Sequence, residues 1–311
     1  MNESQKRLVP HPIPYQGSKR ALAPLISKFV PSEIEVWYEP FAGSAAMTLW
    51  AAANDIAHRY VIGDSLEPIC ELWKQIVFFP DIATLKYAEI WNGQAANDHS
   101  YFNQIRDRYN KFRDPIDLLY LICRCVKNAV RFNRNGAFTQ SVDKRRLGMK
   151  PEKMKFAIFG ASSLLKGRTE IRCGDWQTTV NDASKNDFVY MDPPYQGTSV
   201  GKDKRYAHQI TAETLAKGLE GLNEKNLRFA LSYDGMTGEK SYGPPLPEHL
   251  GLVRLMLHAG TSSQATLSGR NERTIESLYL SAGLGEPYDG VISRTANSDQ
   301  HSLNFVAPIQ A

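Results

Sequence analysis

Val36-Trp37-Tyr38-Glu39-Pro40-Phe41-Ala42-Gly43-Ser44-Ala45 is the stretch that decides the fold. Four apolar or acidic residues read as a short buried strand, Val36 to Glu39, and Pro40 to Ser44 as a turn of small and ring residues. An alanine-rich helix is expected from about Ala45 to Ala53. Tyr60 to Gly63 gives the next strand, ending at Asp64, and Leu66 to Phe78 the next helix. The unit is βαβ, which needs a parallel sheet with its ligand crevice beyond the carboxyl ends of the strands.

In such a crevice a small-residue first turn lets backbone approach the ligand, and an acid about twenty positions on binds ribose hydroxyls. Phe41-Ala42-Gly43-Ser44 supplies the turn and Asp64 the acid. The GxGxxG pattern is absent, with Ala45 and Ala46 opening the helix, so a nucleoside without phosphates fits better than a dinucleotide.

From about Pro80 to Pro151 the pattern is helical with no convincing strand. Phe102, Ile105, Tyr109 and Phe112 recur at helical spacing and are expected in the core. Asp114-Pro115 supplies an N-cap and a first-turn proline for a helix running to about Val130. The turn Arg131-Phe132-Asn133-Arg134-Asn135-Gly136-Ala137-Phe138 follows. Its arginines and asparagines suit phosphates and base edges, although Asn-Gly is also an ordinary hairpin turn.

Strand signals return at Glu170–Cys173, Phe188–Met191, Arg228–Ser232, Leu252–Leu257 and Glu276–Ser281. The expected fold class is therefore α/β: a mostly parallel sheet interrupted by a helical insertion, the last two strands pairing antiparallel around the polar loop 259–274. Domain boundaries follow as 1–78 and 152–311 for a discontinuous main domain and 79–151 for the insertion.

Asp192-Pro193-Pro194-Tyr195 closes the apolar run Phe188-Val189-Tyr190-Met191. It suits chemistry on the amino group of a flat base. An exocyclic amine is a poor nucleophile because its lone pair is delocalised into the ring. The Asp192 carboxylate and the Pro193 carbonyl could accept hydrogen bonds from that amine and stabilise the charge that develops on nitrogen. Two prolines fix φ and remove backbone donors, and Tyr195 offers a stacking face. A strand-ending turn is the plain alternative for this tetrapeptide.

At 311 residues, 42% hydrophobic and 23% charged, the composition is that of an ordinary globular protein and excludes fibrous and disordered classes. No apolar run reaches the length of a membrane span, and Met1 to Arg7 holds no secretory signal, so a cytoplasmic location is expected. The net charge of +4 permits a polyanionic partner. Lys144-Arg145-Arg146, Lys150, Lys153 and Lys155 cluster at mid-chain, with Lys202, Lys204, Arg205, Arg270 and Arg273 later. Cys70, Cys123, Cys125 and Cys173 lack the spacing of a zinc or disulfide framework and read as reduced, mostly buried thiols; no metal is expected.

Four matches, taken together, resemble the Dam-like (alpha-class, D12) DNA adenine-N6 methyltransferases over nearly the whole chain. They are Tyr15-Gln16-Gly17-Ser18-Lys19, Glu39-Pro40-Phe41-Ala42-Gly43 with Asp64, the Arg131-Phe132-Asn133 to Phe138 turn, and Asp192-Pro193-Pro194-Tyr195. Two positions depart from the family pattern: Ser18 stands where a second glycine is usual, and Thr139-Gln140 where an asparagine is usual.

The resemblance implies a Rossmann-like fold with a helical target-recognition insertion, and S-adenosylmethionine as cofactor. Tyr15, Gly17 and Lys19 would serve its methionine end, Glu39, Phe41 and Gly43 the pocket, Asp64 the ribose, and Asp175-Trp176 the adenine. Asp192 would face both cofactor and target, with Asp192, Pro193, Pro194 and Tyr195 as the catalytic set. Double-stranded DNA is the implied partner, its adenine flipped out of the stack. DNA contacts are expected from Arg131, Asn133, Arg134, Asn135, Lys144, Arg145, Arg270 and Arg273. A bacterial or phage-encoded, nucleoid-associated enzyme is implied, serving restriction-modification beside a cognate endonuclease or epigenetic marking. Methylation of cytosine N4 or of an RNA base uses the same amine chemistry, and a catalytically inactive DNA-binding relative is the reading from another class.

Overall fold

The structure is a computed structural model and describes residues 8–94, 99–194, 210–237, 240–261, 273–286, 288, 290–293 and 304–306. In chain order the elements are α1 (Ala23–Ile26), β1 (Ile34–Glu39), α2 (Ala46–Ala53), β2 (Ala57–Asp64), α3 (Glu67–Phe78), α4 (Pro80–Asn92), α5 (Ser100–Phe112) and α6 (Pro115–Arg124). They continue with α7 (Pro151–Leu165), β3 (Thr169–Cys173), α8 (Trp176–Thr179), β4 (Phe188–Met191), α9 (Ala212–Glu224), β5 (Arg228–Thr237), β6 (Lys240–Tyr242), β7 (Val253–Thr261), β8 (Arg273–Leu280), β9 (Val291–Ser293) and β10 (Asn304–Val306).

The fold is α/β, with both parallel and antiparallel strand pairs. The chain divides into two compact units: residues 1–20, 36–181 and 205–207, and residues 21–35, 182–204 and 208–311. In the first unit β1, β2 and β3 are neighbours in that order. β2 and β3 pair parallel from Tyr60↔Thr169 to Asp64↔Cys173, which brings the ends of both strands level. The helical stretch lies in this unit, α4 and α3 packing on α7, and α5 on α6. Its core holds Trp73, Tyr87, Phe102, Tyr109 and Tyr120, all buried.

In the second unit the order is β10-β9-β7-β8-β5-β4, with β6 on β5. β4 and β5 pair parallel, from Phe188↔Arg228 to Met191↔Leu231. β8 pairs antiparallel with β7, as expected of the last two strands, and also with β5. β5 is thus the strand where the sheet turns from parallel to antiparallel. It bulges between Ser232 and Gly235, where Gly235 has φ +155 and a Cβ would stand 2.6 Å from the Ile275 carbonyl. Only glycine fits there.

Three expectations for the helical stretch need correction. The helix begun by Asp114 ends at Arg124, not near Val130. Asp114 does cap it, accepting the Ile116 amide at 2.9 Å. At the other end the Asn128 side-chain amide donates to the Ile122 carbonyl at 2.8 Å and closes the last turn, while Lys127 and Asn128 take positive φ. The stretch also carries antiparallel bridges, Phe132 with Phe138 and Cys125 with Val142, because Asn135-Gly136 turns a hairpin. Finally, Phe112 is 66% exposed under the Lys111 ammonium, while Phe102, Ile105 and Tyr109 are core. It is the last residue of α5, past the point where the stripe has anything to pack on. The short strands β6, β9 and β10 were not expected at all.

Candidate cofactor turn, catalytic loop and nucleic-acid surface

β1 delivers Glu39 to a buried position at its carboxyl end. Its Oε2 accepts the Thr48 amide at 2.6 Å and the Thr48 hydroxyl at 2.5 Å. The reason lies in α2, whose N-cap residue Ala45 has left-handed φ and no side chain able to cap. The carboxylate does that work from a distance and sets a negative charge at the positive end of the helix.

Gly43 lies at φ +47, which favours glycine, and a Cβ on it would stand 3.2 Å from the Tyr15 ring, close enough that the ring would have to shift. Its amide donates to Asp64 Oδ2 at 2.9 Å, and its carbonyl accepts the Trp73 indole N–H at 2.9 Å. Asp64 Oδ1 accepts the Leu66 amide at 2.9 Å, at the start of α3. Protein atoms crowd this carboxylate although the residue keeps some exposure. Desolvation pushes its pKa above the usual carboxylate range, against the downward pull of the Leu66, Gly43 and Ser65 backbone amides.

Phe41 and Trp176 face each other with ring centroids 5.8 Å apart and planes tilted by 35°. Trp176 is buried as the first residue of α8, and exposed Asp175 caps that turn through the Gln177 amide at 2.8 Å. In the opening segment Tyr15 to Ser18 forms a turn with Gly17 at φ +85. Lys19 is buried, its ammonium donating to the Gly17 carbonyl at 3.3 Å. Ser44 donates its hydroxyl to the Ser18 hydroxyl at 2.9 Å, tying this segment to the Gly43 turn. All the cofactor candidates that precede Asp192 therefore lie in the first compact unit.

β4 is buried at every residue and hands the chain to Asp192, half-buried, Pro193, buried, and Pro194. Tyr195 lies outside the described residues. Tyr190 in β4 and Ser232 in β5 share a buried hydrogen bond of 2.8 Å between hydroxyls. Just beyond, Asp234 takes φ +55 and is 2% exposed. Its carboxylate accepts Arg254 at 3.0 and 3.2 Å and the Tyr279 hydroxyl at 2.7 Å. Sequence reasoning missed this network: a lone Asp in a strand and an Arg twenty residues on carry no shared pattern.

The 132–138 hairpin is anchored on α5. Asn110 accepts the Phe138 amide at 2.7 Å and donates to its carbonyl at 3.2 Å, while Phe132, Phe138 and Tyr109 form an aromatic cluster. Asn133 Oδ1 accepts the amides of Asn135 and Ala137 at 2.9 Å each, so its oxygen holds the turn. Arg131 is half-buried with its carbonyl accepting the Thr139 amide, and Arg134 and Asn135 are exposed at the tip. Lys144 is exposed. Arg145 pairs through Nε with Asp143 at 3.2 Å, and Arg146 does so at 2.9 Å while also reaching Asn128 and the Cys125 carbonyl. Arg145 hydrogen bonding holds the Asp143 carboxyl down at about 2. Arg270 is outside the described residues, and Arg273 is described only as the first backbone position of β8.

Cys70, Cys123 and Cys125 are buried free thiols, and Cys173 is free and exposed. Burial pushes Cys123 and Cys125 up to about 12, which keeps them protonated and unreactive. Among the described residues no group of three or more His, Cys, Asp or Glu could hold a metal ion, and no helix is long and apolar enough to cross a membrane.

The model of the D12 class N6 adenine-specific DNA methyltransferases matches residues 15–243. The chain belongs to that family. It is 26% identical over 234 residues to the type II methyltransferase M.FokI of Planomicrobium okeanokoites, covering 71% of this chain and 35% of that relative. It is 25% identical over 231 residues to a DNA adenine methylase of Haemophilus influenzae, covering 70% of this chain and 77% of the other. It is 28% identical over 195 residues to the retron Ec67 DNA adenine methylase of Escherichia coli, covering 60% and 64%. The chain spans about a third of the length of M.FokI and of the modification methylase StsI of Streptococcus sanguinis.

Proposed function

We propose that this chain transfers a methyl group from S-adenosylmethionine to N6 of an adenine in duplex DNA. The observation that carries the reading is Asp192-Pro193-Pro194 leaving the buried strand β4 in register with β5, where a rigid scaffold holds two acceptors. The Asp192 carboxylate and Pro193 carbonyl take the hydrogens of the exocyclic amine, and Asp192 stabilises the positive charge that grows on nitrogen. Tyr195 is assigned the stacking face from the sequence. The family's N6 adenine specificity favours adenine over cytosine N4 and RNA targets.

The residues present fit the cofactor. Phe41 and Trp176 offer an aromatic pair for its adenine. The Asp64 carboxylate, which accepts the Gly43 and Leu66 amides, keeps acceptor capacity for a ribose hydroxyl. Tyr15, Gly17 and Lys19 serve the methionine end, Glu39, Phe41 and Gly43 line the pocket, and Asp175 opens the turn beside the adenine. When bound, S-adenosylmethionine supplies an electrophilic sulfonium methyl.

The 79–151 segment is the target-recognition insertion in this reading, its hairpin tip and Lys144 meeting the duplex, with Arg145 exchanging Asp143 for a phosphate. Arg270 and Arg273 hold the duplex on the other side of the sequence. A cognate restriction endonuclease is the proposed partner system, in line with the names of the modification methylases among the relatives.

Labelled methyl transfer to duplex DNA, wild type beside Asp192→Ala, tests the reading. Wild type should deposit label on adenine N6, and Asp192→Ala should lose at least about a hundredfold in rate while still binding DNA. A wild type that binds DNA and transfers no label overturns it.

A further inference from the structure

Gly43 is gripped at both of its peptide planes. Asp64 takes the N–H of the first and the Trp73 indole donates to the C=O of the second, each at 2.9 Å. Only Asp64 has a role in the cofactor reading on which this inference rests. We infer that Trp73 is a positioning residue for S-adenosylmethionine binding. It acts through Gly43.

Trp73 is 0% exposed in the middle of α3, so it reaches no ligand itself. Fixing two successive peptide planes fixes φ and ψ of the residue between them, and glycine is the residue with the most conformations to lose. The conformation being held, φ +47, lets the Tyr15 ring lie against the Gly43 α-carbon. The same turn continues into Ser44, whose hydroxyl reaches Ser18 in the opening segment. One indole N–H thus sets the backbone that Tyr15 and Ser18 both lean on. Phenylalanine keeps an aromatic ring there but lacks the donor and the second ring of the indole, a packing loss for which Leu72→Ala is the control. Removing the indole nitrogen leaves the buried Gly43 carbonyl without that donor.

The test is calorimetric titration of S-adenosylmethionine into wild type, Trp73→Phe and Leu72→Ala, with steady-state kinetics on duplex DNA. Leu72 is a buried neighbour on α3 whose truncation loosens the core and removes no hydrogen bond from Gly43. Trp73→Phe should raise Kd and KM for S-adenosylmethionine about five- to fiftyfold, with kcat at saturating cofactor and DNA affinity within about twofold of wild type. Leu72→Ala should lower the thermal midpoint and leave cofactor Kd within about twofold. Cofactor affinity unchanged in Trp73→Phe overturns the inference, as does an equal loss in Leu72→Ala. If Trp73→Phe does not fold, hydrogen exchange of the wild-type Trp73 indole decides. Exchange slowed by S-adenosylmethionine at least about tenfold more than at the buried backbone amides of α7 supports the inference, and slowing no greater than theirs overturns it. A wild type that does not bind S-adenosylmethionine overturns the cofactor reading itself.

Discussion

The amide of Gly43 donates to Asp64 Oδ2 at 2.9 Å, twenty-one residues away along the chain. The other oxygen of the same carboxylate takes the Leu66 amide, so Asp64 joins the turn after β1 to the start of α3. Asparagine at this position has one acceptor oxygen and one donor nitrogen, and in either orientation the nitrogen faces an N–H. Asp64→Asn should therefore cost about 1–3 kcal/mol in urea unfolding and raise the S-adenosylmethionine Kd at least about tenfold. An unchanged unfolding midpoint would contradict this geometry.

Glu39 and Thr48 give a second expectation. Glu39→Ala strips the amide and hydroxyl of Thr48 of a buried acceptor and uncaps α2. The loss should be about 1–3 kcal/mol in thermal or urea unfolding, with Glu39→Gln, which keeps an oxygen, losing less. Equal losses for Gln and Ala would mean that charge, not the acceptor, is what matters.

Arg254→Met should destabilise through Asp234, whose buried carboxylate would keep Tyr279 but lose its cation. Arg254 is 40% exposed, so the cost falls below that of a fully buried pair, about 1–3 kcal/mol. Urea unfolding of Arg254→Met and Tyr279→Phe, singly and together, measures it. Strict additivity would argue against a shared network.

Asp143 carries a pH dependence. Its folded pKa is depressed to about 2 by Arg145 and Arg146, so its contribution is present above the ordinary aspartate range, near about 4. It is lost as pH falls from there through about 2. The gap in urea midpoint between wild type and Asp143→Asn should be constant from pH 7 to about 5 and shrink below that. A gap that widens on acidification would reverse the sign.

The basic segment separates two kinds of arginine and lysine. Lys144→Ala should weaken duplex binding alike on any sequence and lower the salt-dependence slope by about 1. Arg146→Ala removes donors from Asp143, Asn128 and the Cys125 carbonyl, so it should show first as lost stability. Filter binding across a salt series, beside thermal melting, tells the two apart.

Much of this was legible in the residues. Phe188-Val189-Tyr190-Met191 reads as a strand and is β4 end to end, because an unbroken apolar run has nowhere to go but a buried strand. Gly43 and Asp64 stood out through their places in the βαβ unit and hold one turn together, while Glu39 stood out only through the family resemblance. Trp73 and Thr48 did not, because each acts on a backbone atom or a distant side chain and leaves no local pattern. Strands β6, β9 and β10 are short edge pieces specified by their partners more than by their own composition. The helix after Asp114 overran in the reading because its stop is a side-chain hydrogen bond from Asn128, not a glycine or proline.

The register of β2 on β3 sets an order of assembly. Tyr60 meets Thr169 only after five helices, α3 to α7, have been made, and Gly174 then donates its amide to the Asp64 carbonyl at 3.0 Å. Closing so long a loop is slow because its entropy is lost before the contacts repay it. A chain emerging from the ribosome therefore cannot complete the strand beside Asp64 until residue 173 is out. A ligand of the Gly43 turn reinforces a late-formed edge, holding the finished protein together by mass action without hastening its birth.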